Sequence, residues 1–511
     1  MLNAKSPALW ISLAALTLVT RLPYLFVDVI DWDESTFILM GHALLNGFLP
    51  YEHIWDLKPP AIFFFFAGVI GLGNDVLMVR IAAMLLVLGT AAVVYGIARR
   101  LHSHRAGVFG ALVYVLSMCA TASGQALTSE LIATLPVLTA LWLLLTRRGL
   151  GWYVLIGALL SFATLVRLNL AFVVIAFAVL IPFHERAGGI NRCVQALVAY
   201  GVGGLAVLLA FIAPYALSGQ FPLFWYSVFE APFRYATEQS GPLENFLQHA
   251  FNAMGMRWGF DGPQFAVGVA AWVMGVIGIL TAINAARADK ARGSWLALGT
   301  ATVVLVTTGL SIVVSGVAPM HYLIGLLPFM TLFAGIAYAW LADRGWALAG
   351  WALIAVCSLV MLAPLAAEYR SSWQRLANGG ELMHGPSFGI AAYLRQPCAD
   401  GCSVYLLEDH LAYALLNVDP PRKIVTHPSN ISKPSLLNAD IGAEPTPDGE
   451  MQALLATHPE YIVKREQVWY LLPSQAQMLE QTLQRHYRVV HEVDGRRIYQ
   501  AIAPAPSADG S

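Results

Sequence analysis

Three carboxylates, Asp31, Asp33 and Glu34, stand almost side by side at the head of the stretch DWDESTFILMGHALLNGFLPYEHIWDLKPP (31–60), and Asp56 and Lys58 close it. Only 12% of the chain is charged, so this is an unusual concentration. A carboxylate held here could take the proton from an attacking hydroxyl. Pro59 and Pro60 fix their own φ and push Lys58 out of the helical region, so its ammonium stands on a stiff turn. Held this way, a lysine is a compact point charge suited to a phosphate. Plainer accounts exist for both groups. Asp33 and Glu34 would serve as N-cap and first-turn acid of a helix, which leaves Asp31 unexplained. Lys58 would serve as an interfacial lysine ahead of a helix with proline in its first turn. Between the two charged ends, Phe37, Ile38, Leu44, Leu45 and Phe48 recur at helical spacing, which predicts an amphipathic helix resting on lipid headgroups.

The elements that must position these groups are membrane spans. The chain has 511 residues, 58% of them hydrophobic, too little polar surface for a soluble protein of this size. Apolar runs predict spans at 8–26, 75–98, 106–122, 128–146, 152–166, 169–184, 194–217, 264–284, 296–315, 320–341 and 346–365, with a tilted or re-entrant piece at 61–73. The fold class is a polytopic α-helical membrane protein of about eleven spans. It carries amphipathic outer-loop helices and a small C-terminal α/β extracytoplasmic domain. The expected division is a membrane domain over 1–366 with its first outer loop at 27–60, an α/β domain over 367–502 and a disordered tail at 503–511.

Orientation follows from the basic links RRLHSHR (99–105), Arg147–Arg148, HERAGGINR (184–192), RADKAR (287–292) and Asp343–Arg344, all on one side, against links near 122–127 and 315–320 that hold no Lys or Arg. The positive-inside rule places the N-terminus in the cytoplasm, and residues 27–60, the link 218–263 and everything past 366 outside. In a bacterium that is the periplasmic face of the cytoplasmic membrane. A net charge of −1 offers no basis for a nucleic-acid partner. Ionisable residues inside spans are candidates for function. Here they are Arg21, Arg80, Glu130, Arg167 and His321, all at the outer level. Each alone reads as a side chain snorkelling to the interface. Together they predict a polar chamber open to lipid, with Arg80 and Arg167 beside an anionic headgroup.

In the tail, SVYLLED (403–409) and YIVKR (461–465) predict strands, 386–396, 449–457 and 474–486 helices, and 488–502 two strands around Asp494-Gly495. Cys398 and Cys402 read either as a disulfide-closed loop or as two free thiols at a turn.

The order of acidic pair, helix, Gly47-Phe48-Leu49-Pro50-Tyr51 and Asp56-Leu57-Lys58-Pro59-Pro60 resembles the first outer loop of the GT-C membrane glycosyltransferases. The nearest are the protein O-mannosyltransferases, the lipid A aminoarabinose transferases and the rhizobial galacturonic acid transferases. Thr128-Ser129-Glu130, His321-Tyr322 with Pro328, and the polar C-terminal domain extend the likeness over most of the chain. The resemblance implies an inverting transferase that moves a sugar from a polyprenyl-phosphate donor to a hydroxyl on a glycolipid or protein acceptor. It implies Asp33 as general base with Glu34 its neighbour, Lys58 on the carrier phosphate, and Glu130, His321 and Tyr322 lining the site with Asp31 and Asp56. No cofactor is demanded. A divalent metal stays open, since no HxxH or Cys/His cluster with ligand spacing is present. The rival function is a transporter or flippase of lipid-linked sugars, which would favour charges near the midplane and repeated halves.

Overall fold

The computed structural model describes residues 7–121, 123–238, 244, 263–289, 292–314, 320–437 and 446–502. In chain order its helices are α1 (Pro7–Arg21), α2 (Trp32–Leu45), α3 (Ala61–Ile70), α4 (Asp75–Leu101), α5 (His104–Ala120), α6 (Ser129–Thr146), α7 (Leu150–Val166), α8 (Ala171–Glu185), α9 (Gly189–Leu217), α10 (Phe221–Trp225), α11 (Ala231–Glu238), α12 (Pro263–Asp289), α13 (Arg292–Val314), α14 (Leu327–Leu341), α15 (Ala347–Ala377), α16 (Pro386–Leu394), α17 (Leu411–Leu416), α18 (Pro447–Leu455) and α19 (Pro473–His486). A helix lies over every expected span. Among the described residues, seven stretches are long and apolar enough to cross a bilayer. Two of them, Leu168–Leu217 and Leu327–Ala377, each contain two successive helices, and α3, α5 and α7 are shorter apolar helices. The chain is a multi-span helical membrane protein.

Polar residues mark where these helices start. The Asn74, Ser103 and Thr128 side chains accept from the backbone N–H of Leu77, Ala106 and Leu131 at 3.0, 3.3 and 3.2 Å, which satisfies donors that lipid cannot. Between helices the packing is close. A Cβ added at Gly157 would lie 1.9 Å from the Tyr200 carbonyl, and one at Gly203 1.8 Å from the Val154 carbonyl, so α7 and α9 meet backbone to backbone.

Two features of the outer loop differ from the sequence reading. Helix α2 does not lay Phe37 and Ile38 on headgroups: both are buried, and Phe37 packs on Phe63 and Phe66 of α3 with ring centroids 6.0 and 5.3 Å apart. Leu45 and Phe48, at its far end, are the exposed apolar residues of that set. The sequence periodicity identified a face but not what covers it, and α3, which occupies the 61–73 region, covers it. The second difference is at residue 366. Helix α15 runs past it to Ala377, because Leu365–Ala377 is rich in helix formers, and stops where Gly379 turns left-handed at φ 75°.

Beyond α16 the chain forms a sheet of four strands among the described residues, β1 (Val404–Leu406), β2 (Tyr461–Arg465), β3 (Tyr487–Val493) and β4 (Arg496–Ala501), in the order β1-β2-β4-β3. β1 and β2 are parallel, with Val404 opposite Tyr461; β4 is antiparallel to both β2 and β3. Asp494 and Gly495 join β3 to β4 with φ 47° and 74°, the conformation an Asp-Gly hairpin turn requires. Cys398 and Cys402 form a disulfide, with Cα atoms 4.9 Å apart. The expected tail at 503–511 lies outside the described residues, as does half of the link 218–263.

The sheet region and the first loop are stitched together by backbone. Asp28 N–H donates to the His384 carbonyl and His384 N–H to the Phe26 carbonyl, both at 2.9 Å, and Trp55 N–H donates to the Lys423 carbonyl at 2.9 Å. The Thr36 hydroxyl donates to the Thr426 carbonyl at 2.6 Å. These bonds fix segment 423–427 over α2. The close α7–α9 crossing gives a direct test: Gly203→Ala costs about 1–3 kcal/mol or more by forcing the backbones apart. Gly201→Ala, with nothing within 4 Å, costs far less. Thermal unfolding of the two variants in one detergent compares them.

Candidate active site

The acids at the start of α2 divide their roles by geometry. Asp31 is the N-cap: its Oδ1 accepts from Asp33 N–H at 3.1 Å, and Glu34 reaches back as the reciprocal half of a capping box. Glu34 Oε2 accepts from Ile30 N–H at 3.1 Å and Glu34 Oε1 from Leu127 N–H at 2.6 Å. Capping therefore explains Asp31 and Glu34, not the Asp33–Glu34 pair that sequence alone suggested. It leaves Asp33 with its carboxylate free to turn elsewhere.

It turns to Lys58. Lys58 Nζ donates to Asp33 Oδ2 at 3.2 Å. The lysine is aimed by its own backbone, whose N–H donates to Asp56 Oδ1 at 2.9 Å and whose carbonyl accepts from the Tyr51 hydroxyl at 2.7 Å. The two prolines behind it complete the stiff turn expected from sequence. Its ammonium also lies 5.6 Å from the centre of the Phe37 ring.

Two further ion pairs are more deeply buried. Arg80 bonds Glu34 and also donates to the Asp28 carbonyl at 2.9 Å. Arg167 bonds Glu130 and donates to Ser129 Oγ at 3.0 Å, with its guanidinium 4.3 Å from the centre of the Tyr322 ring. Arg80 and Glu34 are 2% and 1% exposed, Arg167 and Glu130 9% and 3%, Lys58 and Asp33 18% and 16%. The ranking separates structure from chemistry. Arg80, expected at the carrier phosphate, closes residues 27–34 against α4, because Glu34 and two backbone carbonyls of that loop take its two terminal nitrogens. Lys58–Asp33 is the pair a substrate can reach.

His321 stands between two acids, Nδ1 3.7 Å from Asp31 Oδ2 and Nε2 3.8 Å from Glu130 Oε1. Ser123 donates to Asp31 Oδ2 at 2.6 Å. Arg21 holds the adjoining turn by donating to the Gly124 and Gln125 carbonyls, each at 2.9 Å. The five intramembrane ionisable residues thus converge on two short loops, 27–34 and 123–130.

Between α6, α13 and α14 lies a cleft lined by Glu130, Arg167 and Tyr322 together with Val137, Leu170, Ile312 and Phe329. Two residues that sequence reasoning missed lie beside these groups: His427, whose Nε2 is 3.5 Å from Asp33 Oδ1, and Lys433, whose Nζ lies over the Tyr235 ring at 5.6 Å. Both come from the loop after Pro420-Pro421, which carries no motif; the hydrogen bonds from Trp55 N–H to the Lys423 carbonyl and from the Thr36 hydroxyl to the Thr426 carbonyl bring them in. Among the described residues, no three His, Cys, Asp or Glu side chains are grouped to hold a metal ion.

The electrostatics follow from this layout. Burial works to raise the Asp33 pKa, but Lys58, His427 and His321 outweigh it and hold the carboxyl below the usual carboxylate range. Burial works against the Lys58 ammonium, yet Asp33 and Asp56 hold its pKa above the ordinary lysine range. Burial, then Asp33, raises Asp31; burial also raises Asp56, against the pull of Lys58. Burial pushes His427 down to about 4, with Lys433 and Lys58 adding to the effect and Asp33 opposing it.

A multi-span helical body with acids and cations gathered at one end, beside a small sheet region that reaches into the same site, is a fold this chain shares with solved structures of other proteins. The comparisons agree on that fold. The family model described as dolichyl-phosphate-mannose-protein mannosyltransferase matches residues 57–217, a segment that includes Lys58, Arg80, Glu130 and Arg167. ArnT from Cupriavidus metallidurans superposes in its apo state with a TM-score of 0.61 at 15% identity, over 97% of this chain and 98% of that one. The same protein bound to undecaprenyl phosphate gives 0.60 at 16% identity over the same shares. The Archaeoglobus fulgidus oligosaccharyltransferase AglB, in complex with an inhibitory peptide and a dolichol-phosphate, gives 0.53 at 11% identity, over 97% of this chain and 74% of that one. No curated protein matches by sequence.

Two outcomes follow from the site's pairing. Arg80→Met strands Glu34 and costs about 3–5 kcal/mol of stability, most of which Glu34→Gln added to it recovers; thermal unfolding of the single and double variants checks this. His427, with a folded value of about 4 against an ordinary 6.5, resists protonation in the folded state. The unfolded chain takes up that proton first, so stability falls as pH drops from 6.5 to about 4 and this contribution levels off below. The effect amounts to at most about 3 kcal/mol and disappears in His427→Asn, as denaturation across that pH window would reveal.

Proposed function

We propose that the chain transfers a sugar from a polyprenyl-phosphate carrier to a hydroxyl acceptor, with inversion at the anomeric carbon. The observation that carries this reading is the Lys58–Asp33 pair, 3.2 Å apart and still reachable, together with a cleft in which Glu130, Arg167 and Tyr322 stand beside largely apolar residues. A phosphate on a long hydrocarbon chain needs both a cation at its head and an apolar channel for its tail. The fold shared with proteins solved with undecaprenyl phosphate and dolichol-phosphate supports the same donor class.

In this reading the carrier phosphate takes the Lys58 ammonium, with Arg167 behind it. Asp33 then loses its strongest counter-charge and becomes a better base. The acceptor O–H gives its proton to Asp33 as the oxygen attacks the anomeric carbon. On the opposite face the bond from that carbon to the phosphate oxygen breaks, and the leaving phosphate's growing charge is met by Lys58 and Arg167. Asp31, Asp56, Glu130, His321 and Tyr322 hold these groups in place. The asymmetry of basic residues along the chain supports a site at the outer face of a bacterial cytoplasmic membrane, with the N-terminus cytoplasmic. No observation favours a flippase over this reading.

Purified protein in nanodiscs with a polyprenyl-phosphate sugar tests it by carrier-phosphate release and product mass. Lys58→Met lowers turnover on the order of 10²–10³-fold. Asp33→Asn lowers it on the order of 10²–10⁴-fold, and thermal unfolding of both variants separates the lost chemistry from the stability lost with the ion pair. Full-rate transfer by either would remove that residue from the mechanism. Because Lys58 and Arg167 supply the positive charge a divalent metal would otherwise bring to the phosphate, the expected rate in excess EDTA matches the untreated rate.

A further inference from the structure

We propose that Lys433 is a further cation for the carrier phosphate, which is thereby held between Lys58 on the first loop and Lys433 on the sheet region. The inference rests on the transferase reading above and adds to the same site a binding residue whose ligand is the departing phosphomonoester.

The chain has six lysines, and only Lys58 and Lys433 are followed by proline. Pro434 keeps Lys433 out of the helical region, at φ −114° and ψ 111°, as Pro59 does for Lys58. The backbone around it is locked. Asn430 N–H donates to the His427 carbonyl at 3.0 Å, Lys433 N–H to the Asn430 carbonyl at 3.1 Å, and Leu436 N–H to the Lys433 carbonyl at 3.0 Å. Gln475 of α19 fastens the same stretch, donating to the Ile431 carbonyl at 2.9 Å and accepting from the Ser432 hydroxyl at 2.7 Å. Successive turns thus fix Lys433 to His427, whose Nε2 is 3.5 Å from Asp33 Oδ1.

Lys433 is half-buried, and its ammonium stands 5.6 Å from the centre of the Tyr235 ring on α11. Among the described residues no carboxylate forms an ion pair with it. Arg80, Arg167 and Lys58 each have one. Burial, and then the charge of Lys58, hold the Lys433 pKa below the ordinary lysine range, with Asp33 and Asp56 opposing. An ammonium that feels Lys58 as a neighbour and has no acid of its own is a place for an anion. The reaction supplies one whose charge grows. When the bond from the anomeric carbon to the phosphate oxygen breaks, its electron pair stays on that oxygen. A phosphodiester of charge −1 becomes a phosphomonoester of about −1.5 to −2 at neutral pH. Lys58, already shared with Asp33, meets the first charge, and Lys433 meets the second.

The test is binding to the full-length protein in nanodiscs, at about pH 8, of polyprenyl phosphate, there a dianion, and of its methyl ester, a monoanion. Lys433→Met and Lys433→Gln are each expected to weaken polyprenyl phosphate about tenfold and the methyl ester less than about threefold. Lys433→Arg restores most of the loss. A merely structural role would not distinguish the two probes. Equal weakening of both, or unchanged binding of polyprenyl phosphate, overturns the proposal. An acceptor could also bring a phosphate, so a phosphorylated glycolipid without a polyprenyl chain is the third probe. If the Lys433 variants weaken that probe alone, the lysine serves the acceptor and the proposal falls. A wild type that binds neither polyprenyl probe refutes the donor reading itself, a failure separate from that of Lys433.

Discussion

A charge taken out of water inside a helix bundle bounded by lipid must find its counter-charge within the protein. That constraint organises the polar end of this molecule. Three acids and three bases pair off as Glu34 with Arg80, Glu130 with Arg167, and Asp33 with Lys58. The first is sealed and spends its remaining hydrogen bonds on backbone. The second is nearly sealed and lines the cleft. The third is reachable from outside. The sequence of burial, from structural pair to reactive pair, turns a cluster of charge into a site with a floor and an opening.

The reactive pair also orders events. While Lys58 holds Asp33, the carboxylate is a weak base, because the ammonium stabilises its ionised form. In the proposed reaction a phosphate competes for the same ammonium, so that binding the donor would release the base. Neutral His427 on the other carboxylate oxygen preserves Asp33 without adding a second full positive charge. Binding and activation would then be coupled through one ion pair, and no moving lid is needed to explain the coupling.

Support for this arrangement comes from outside the motif. Arg21 carries the 123–127 turn on two carbonyls, Ser123 steadies Asp31, and the 423–427 segment is tied to α2 and Trp55 by hydrogen bonds. The sheet region is thus part of the site's wall. Its contribution is His427, which stands against the second oxygen of Asp33.

Local chemistry in the sequence determined a great deal. Apolar length set the helices, since a bilayer admits little else. The Asp-Gly turn and alternating residues set the β3–β4 hairpin, and two prolines set the stiff turn at Lys58. The charges that would matter could be named, because so few occur inside apolar runs. Which charge meets which could not be read. Arg80 and Arg167 look alike along the chain, yet one closes a loop and the other faces a cleft; Asp33 and Glu34 are neighbours, yet the helix cap turns them to different partners. His427, nearly four hundred residues from Asp33, has no local signal at all. Pairing of buried charges is decided by distances across the fold, and those distances exist only once the helices and the sheet have packed.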